Sequence, residues 1–296
     1  MRFILSALVV ALFLSCSSDD RALTYPNTPG LAYAESEFDF KNTYSALRTN
    51  IQQANYQFHK EIDFKKYAES YRRRSRETKM ILFSNPSLEA MLIQETPEIG
   101  IEFPSRMLTY EDRDRYVLVA YNNVEYLSRM YGLNNTGAVQ NMEYSLSQIA
   151  SNVAGNMTLK NETAFAGINT ITVSSTHSFN QVFNHLRNAI ADNPEMDLIA
   201  DVDHQLNALS VGVNIRANRV LLFTTGELEA NMVDRHQLST IDLPLRILVW
   251  EDENNRVKVS YTNLNTIKDR HQMDSNIGKL EEVKRMLAEL VVESAN

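Results

Sequence analysis

The chain has 296 residues, 44% apolar and 22% charged, which excludes disordered, collagen-like and low-complexity classes. A formal net charge of −8 argues against a general nucleic-acid binder, which needs a basic face to displace counterions. One cysteine rules out an intrachain disulfide and a cysteine-based zinc site, and the length suits two domains of roughly 130 residues, each with its own core.

Residues 1–15 read as a signal peptide. Arg2 supplies the positive start, and Phe3 to Leu14 is an apolar run interrupted by Ser6, too short to span a bilayer comfortably. Phe13, Leu14 and Ser15 lead directly into Cys16. This order resembles the lipobox of bacterial lipoprotein precursors, with Phe13 where Leu is commoner. The resemblance implies cleavage before Cys16, acylation of its thiol (palmitate or a similar chain) and of the new N-terminus, and anchoring in the bacterial outer membrane. Several acyl chains give stable anchoring at roughly 0.8 kcal/mol per buried CH₂. Ser17, Ser18, Asp19 and Asp20 follow. They are similar to the acidic export signal of surface lipoproteins in some Gram-negative bacteria, and they read equally as a solvated spacer, so cell-surface and periplasm-facing positions both stay open. Residues 16–36, with Pro26, Pro29 and Gly30 and no apolar period, are expected to be a flexible tether reaching at most about 66 Å.

The body is a duplication. Phe40, Leu47 and Arg48 return as Phe179, Leu186 and Arg187. From Asp63 onward the offset is 140 and holds without a gap for about sixty residues. Leu82–Phe83, Leu88–Glu89–Ala90, Pro104, Arg106, Glu111–Asp112, Val119 and Tyr121 match Leu222–Phe223, Leu228–Glu229–Ala230, Pro244, Arg246, Glu251–Asp252, Val259 and Tyr261. A period this long makes each copy a domain, not a solenoid repeat. The predicted division is a first domain over 37–155, a linker over 156–166 and a second domain over 167–296.

The second copy predicts its elements most clearly. Residues 169–174 are β-rich. Ser178 caps a helix with Phe179, Val182, Phe183, Leu186 and Ile190 on one face. Residues 196–203, 210–215 and 219–225 read as strands. Residues 243–250 and 257–261 form a hairpin, and a last helix starts near Asn276. The first copy ends alike, with Met142, Leu146, Ile149 and Val153 at helical spacing. A sheet with helices on one face, an α+β domain, is the expectation.

Thr172–Val173–Ser174–Ser175 with Ser178–Phe179, then Asp203–His204, Leu221–Leu222–Phe223, the run Asp242 to Val249, and Val259–Ser260–Tyr261 resemble the bacterial domain-of-unknown-function family 302. The resemblance covers most of 165–275 and, through the duplication, 36–130 more weakly. It implies a β-α-β4-α domain with one antiparallel sheet, self-association of such domains and no established activity. The family's Asp-His pair is kept in domain two, whereas domain one has Asp63–Phe64. Its Phe-Gly-Asn-Pro turn survives as Phe83–Ser84–Asn85–Pro86 in domain one and is Phe223–Thr224–Thr225–Gly226 in domain two.

Three clusters carry chemistry. Asp203, His204 and Glu229 are the catalytic candidates, since His exchanges protons near neutral pH; the plain alternative is a histidine bonded to backbone. The repeated pairs Glu111–Asp112 and Glu251–Asp252 could bind Ca²⁺ or exchange protons, but both fall in hairpin turns, where Asp serves the backbone. Lys65, Lys66, Arg72, Arg73, Arg74, Arg76 and Lys79, interleaved with Tyr67 and Tyr71, have only Arg216 and Arg219 as counterparts in domain two. If that stretch is a strand, Arg72, Arg74 and Arg76 share a face that could meet an anionic surface or acidic partner; the alternative is a solvated edge. No two histidines sit at helical metal spacing, and no phosphate-binding glycine loop occurs, so neither metal nor cofactor is expected. The expected function is a membrane-anchored, non-catalytic module that binds a ligand, an acidic partner or another copy. The alternative is an enzyme using Asp203–His204 in a cleft of the second domain.

Overall fold

A computed structural model describes residues 26–162, 169–274 and 276–296. The signal peptide, Cys16 and the acidic run Asp19–Asp20 lie outside them. Among the described residues no helix is long and apolar enough to cross a membrane.

The first domain runs β1 (Leu31–Glu35), α1 (Phe40–Gln53), β2 (Gln57–Asp63), α2 (Phe64–Ser70), β3 (Thr78–Ser84), α3 (Pro86–Glu95), a 3₁₀ segment (Pro97–Glu102), β4 (Ser105–Glu111), β5 (Val117–Asn122), α4 (Val124–Tyr131), α5 (Thr136–Ala154) and β6 (Leu159–Lys160). The second repeats it as β7 (Thr170–Ser174), α6 (Phe179–Asp192), β8 (Asp197–Asp203), α7 (His204–Ser210), β9 (Asn218–Thr224), α8 (Glu227–Arg235), a 3₁₀ segment (Gln237–Asp242), β10 (Leu245–Glu251), β11 (Val257–Thr262), α9 (Leu264–Arg270) and α10 (Leu280–Ala295). The sheets are antiparallel, in the orders β2-β3-β4-β5-β1-β6 and β7-β11-β10-β9-β8. Apart from β6 they are the same sheet. Even an irregularity recurs, between Phe58 and Lys60 and between Leu198 and Ala200, at the offset of 140.

Residues 31–35 are not tether. Leu-Ala-Tyr-Ala-Glu forms β1, held between β5 and β6. Its first four residues are buried on both faces, so no polar alternation marks it as a strand. The expected linker likewise contributes β6, paired to Ala32 and Tyr33. Residues 210–215 are not a strand: α7 closes through Gly212 in a left-handed turn, and the chain stays irregular until Asn218. The short helices α2, α3, α4 and their twins add to the expected element order. The capping box at Ser178 is present, with Gln181 reaching back to the Ser178 amide.

Each sheet carries α1 and α5, or α6 and α10, on one face. In the first domain Ile81, Phe83, Met107, Val119 and Tyr121 pack with Leu47, Ile51 and Leu146 on that face. Met80, Leu82, Leu108 and Ala120, on the opposite face, belong to one continuous cluster with the core of the second domain. The domains meet reciprocally: α2 packs on α8 and its twin α7 on α3. The first 3₁₀ segment lies against β9, β10 and β11, and the second against β4 and β5. This is the isologous pattern of a two-fold dimer, here within one chain.

Phe83 and Phe223 sit at equivalent places, both fully buried. Phe83→Ala and Phe223→Ala should each cost about 3–5 kcal/mol in urea unfolding. A loss below 1 kcal/mol at both would contradict this packing.

Candidate functional site

Asp203, the first member of the candidate trio, caps α7; its carboxylate accepts a hydrogen bond from the Leu206 amide at 2.9 Å. Asp63 does the same for α2 through the Lys66 amide at 3.2 Å. Helix capping accounts for aspartate in both copies.

His204 is the first residue of α7 and is buried in the seam between the domains. Its Nε2 donates to the Gly100 carbonyl of the first domain at 3.0 Å, and its ring stands edge-on to Phe103. Burial pushes it down to about 3, so it stays neutral at physiological pH. Its twin, Phe64, is buried just as deeply. A ring at this position plugs the seam, with its donor committed to backbone, and is not placed as a general base.

Glu229 faces different neighbours. Its Oε2 accepts from the Thr225 amide and hydroxyl, and its charge is felt by Tyr67 and Tyr71 of the first domain. The Tyr67 hydroxyl is 3.1 Å from Thr224 Oγ1, and Tyr71 abuts Gly226, where a Cβ would lie 2.6 Å from the phenol oxygen. His204 in turn feels His59 of the first domain, whose Nε2 is 2.9 Å from Ser84 Oγ. Ser84 stands by Glu89, the twin of Glu229, and favours its charged form against burial. His204 and Glu229 thus each face residues of the first domain, Gly100 and His59 for the one and Tyr67 and Tyr71 for the other. Burial raises both glutamates, Glu89 to about 8 and Glu229 to about 7. Each holds the start of its own helix: Glu89 Oε1 accepts from the Asn85 amide at 3.2 Å, as Glu229 does from Thr225 at 3.1 Å.

A second buried group was not singled out from the sequence. Arg106 pairs with Glu102 at 2.6 Å, and Arg246 donates to the Ile101 and Pro104 carbonyls of the other domain. Arg270 and His271 both bind Asp242, at 2.8 and 2.7 Å. Burial alone would raise the Asp242 carboxyl, but Arg270 and His271 outweigh it and hold it well below the usual carboxylate range. Arg270 also reaches Asn122 and the Pro29 carbonyl and stacks on Tyr126 of the first domain. The signal was an arginine recurring at 106 and 246 inside two apolar strands.

The basic stretch is helix and loop, not strand, so Arg72, Arg74 and Arg76 share no strand face. Lys65 pairs with Glu77, and Lys79 with Asp63 at 3.3 Å. Arg76 turns to the Glu111 carbonyl and to Gln237 of the second domain. Tyr67 is spent in the seam. Arg72, Arg73 and Arg74 are exposed, with no side-chain partner among the described residues. The acidic pairs follow the turn reading: Asp112 accepts from the Asp114 and Tyr116 amides, and Asp252 from those of Asn254 and Arg256. Among the described residues no group of three or more His, Cys, Asp or Glu could hold a metal ion.

The raised glutamates set a pH dependence. Below the ordinary value of 4.5, folded and unfolded chains both hold these protons and stability is greatest. Between 4.5 and about 7 to 8 the unfolded chain releases protons that the native state keeps, so stability falls, at about 1.4 kcal/mol per unit of pH per group. Glu89→Gln and Glu229→Gln should remove part of that fall. Unfolding free energies from urea titrations should match the parent at pH 5, and at pH 8 each variant should exceed it by about 3 kcal/mol.

No curated protein is similar enough to the chain to match it. The crystal structure of a conserved DUF302 protein from Bacillus stearothermophilus is similar at 12% identity and a TM-score of 0.39, over 44% of this chain and 100% of that one. The family model described as domain of unknown function DUF302 matches twice, over 33–153 and 171–293, one match to each sheet and its helices. With most of its length so matched, the chain belongs to the DUF302 family, as two tandem copies of the domain.

Proposed function

We propose that this chain is a lipid-anchored protein of the bacterial envelope that presents two fused DUF302 domains as one non-catalytic binding unit, with the Arg72–Arg73–Arg74 loop turned toward an anionic membrane surface. The anchor rests on the sequence: the sole cysteine follows directly on an apolar run and a small residue. The family resemblance carries no activity, and the histidine best suited to chemistry is committed to a backbone carbonyl.

The observation that carries the binding face is the backbone of Arg72. It closes α2 in the left-handed region, φ 57°, where domain two has Gly212 at φ 78°. Glycine takes that conformation without penalty and arginine does not. Arg73 and Arg74 stand where domain two has Val213 and Asn214. The fold is built without these charges in one copy, and strain retained at an exposed position points to use. Each basic residue near an anionic bilayer contributes about 1 kcal/mol, screened by salt.

Cys16→Ala should abolish fatty-acid labelling and release the protein from membrane fractions. In that background, replacing Arg72, Arg73 and Arg74 together by Ser should weaken binding to anionic vesicles on the order of a hundredfold at low salt. Vesicles of neutral lipid should bind neither protein. Equal binding by parent and triple variant would sink the membrane-facing reading. Retention of an acidic protein in place of vesicles would redirect the loop to that partner.

A further inference from the structure

Where the two domains meet, the fully buried charges do not balance, the half-buried Glu98 being engaged instead by the hydroxyls of Thr170, Thr172 and Ser260. Arg106, Arg246 and Arg270 bring three guanidiniums against the carboxylates of Glu102 and Asp242, all buried. Burial lowers His271, which adds no charge at neutral pH. Glu89, within the field of Arg246, is nonetheless raised by burial to about 8 and keeps its proton at neutral pH, so it adds no negative charge.

Hydrogen bonding is unbalanced in the same sense. Every carboxylate oxygen of the pair is engaged: Glu102 Oε2 by Arg106 and Oε1 by Tyr131 and Asn169. Asp242 Oδ1 receives Arg270 and Asn122, and Oδ2 receives His271. Among the three guanidiniums and these two carboxylates, the unsatisfied group is a donor. Arg246 is 2% exposed, and its Nε has no hydrogen-bond partner among the described residues, while its two Nη atoms hold carbonyls of the first domain. Beside it is a cavity of about 20 Å³ lined by Arg106, Arg246, Asn169 and Thr262 and also by Glu102 and Asp242, whose carboxylate oxygens are already saturated by the bonds just named. That volume suits one water-sized species. A buried N–H without an acceptor and an excess positive charge in low dielectric are both costly, and one occupant can relieve both only if it accepts hydrogen bonds and is negative.

We propose that this cavity binds a single monatomic anion, chloride being the abundant one, between the guanidiniums of Arg106 and Arg246. One guanidinium comes from each domain, so the anion acts as a bridge and makes domain docking depend on halide.

The test melts the full-length protein at constant ionic strength in sodium chloride, sodium bromide and sodium gluconate, whose anion is too large to enter. The melting temperature should be higher in chloride and bromide than in gluconate, and the rise should saturate with halide concentration, as binding to the native state requires. Crystals grown in bromide should give an anomalous peak beside Arg246 Nε. Arg246→Met keeps the length of the side chain without its charge and should lose the halide dependence. If that variant does not fold, the parent's salt series and the bromide diffraction decide. Equal melting in the three salts, or bromide crystals without a peak beside Arg246, would overturn the proposal.

Discussion

A single domain of this chain has two apolar sheet faces and long helices enough for one. The face of Ile81, Phe83, Val119 and Tyr121 is covered from within, by α1 and α5. The face of Met80, Leu82, Leu108 and Ala120 finishes its burial only with the second domain. Exposed, it would be a large apolar patch, which soluble domains avoid. The reciprocal packing of α2 on α8, α7 on α3, and each 3₁₀ segment on the opposite sheet follows from that need. Fusing the copies covers that face within one chain.

Apolar burial brings the sheets together, and polar groups fix how. Glu98 enters from the first 3₁₀ segment and accepts from the hydroxyls of Thr170, Thr172 and Ser260 on the second sheet. Gln237, from the matching segment, donates to Thr78 at 2.8 Å while Asn218, the twin of Thr78, donates to the Pro97 carbonyl at 2.7 Å. Buried ion pairs such as Arg270 with Asp242 add little net stability against an apolar substitute, but a shifted docking would leave charges unpaired at large cost. The arginines therefore select one docking over its neighbours.

Much of this was legible before any coordinates. The offset of 140 located matched strands and the two buried phenylalanines, and Ser178 announced its helix, because capping and core packing are local or periodic. What the sequence left open depends on the seam. His204 and Glu229 share a domain in sequence, yet each helix that carries one packs on the other copy, so each meets residues about a hundred or more positions away. Arg72 to Arg76 read as a strand because alternation is all that a short charged run offers; the left-handed turn at Arg72 and the bond from Arg76 to Gln237 are set by tertiary context. β1 escaped notice for the opposite reason, since a central strand buried on both sides shows no alternation.

The position of β1 has a mechanical consequence. The chain before Pro26 enters the fold through this strand, which lies inside the first sheet with β5 on one side and β6 on the other. Asn161 clasps the Pro26 and Thr28 carbonyls just ahead of it. Tension on the N-terminal segment therefore runs along the strand axis, after first loading the Asn161 clasp. The rungs from Leu31–Asn122 to Glu35–Leu118 then bear the pull together in shear, rather than peeling one at a time as they would at a sheet edge. A body attached at this point is gripped by its core, and sideways drag reaches the sheet before it reaches any loop.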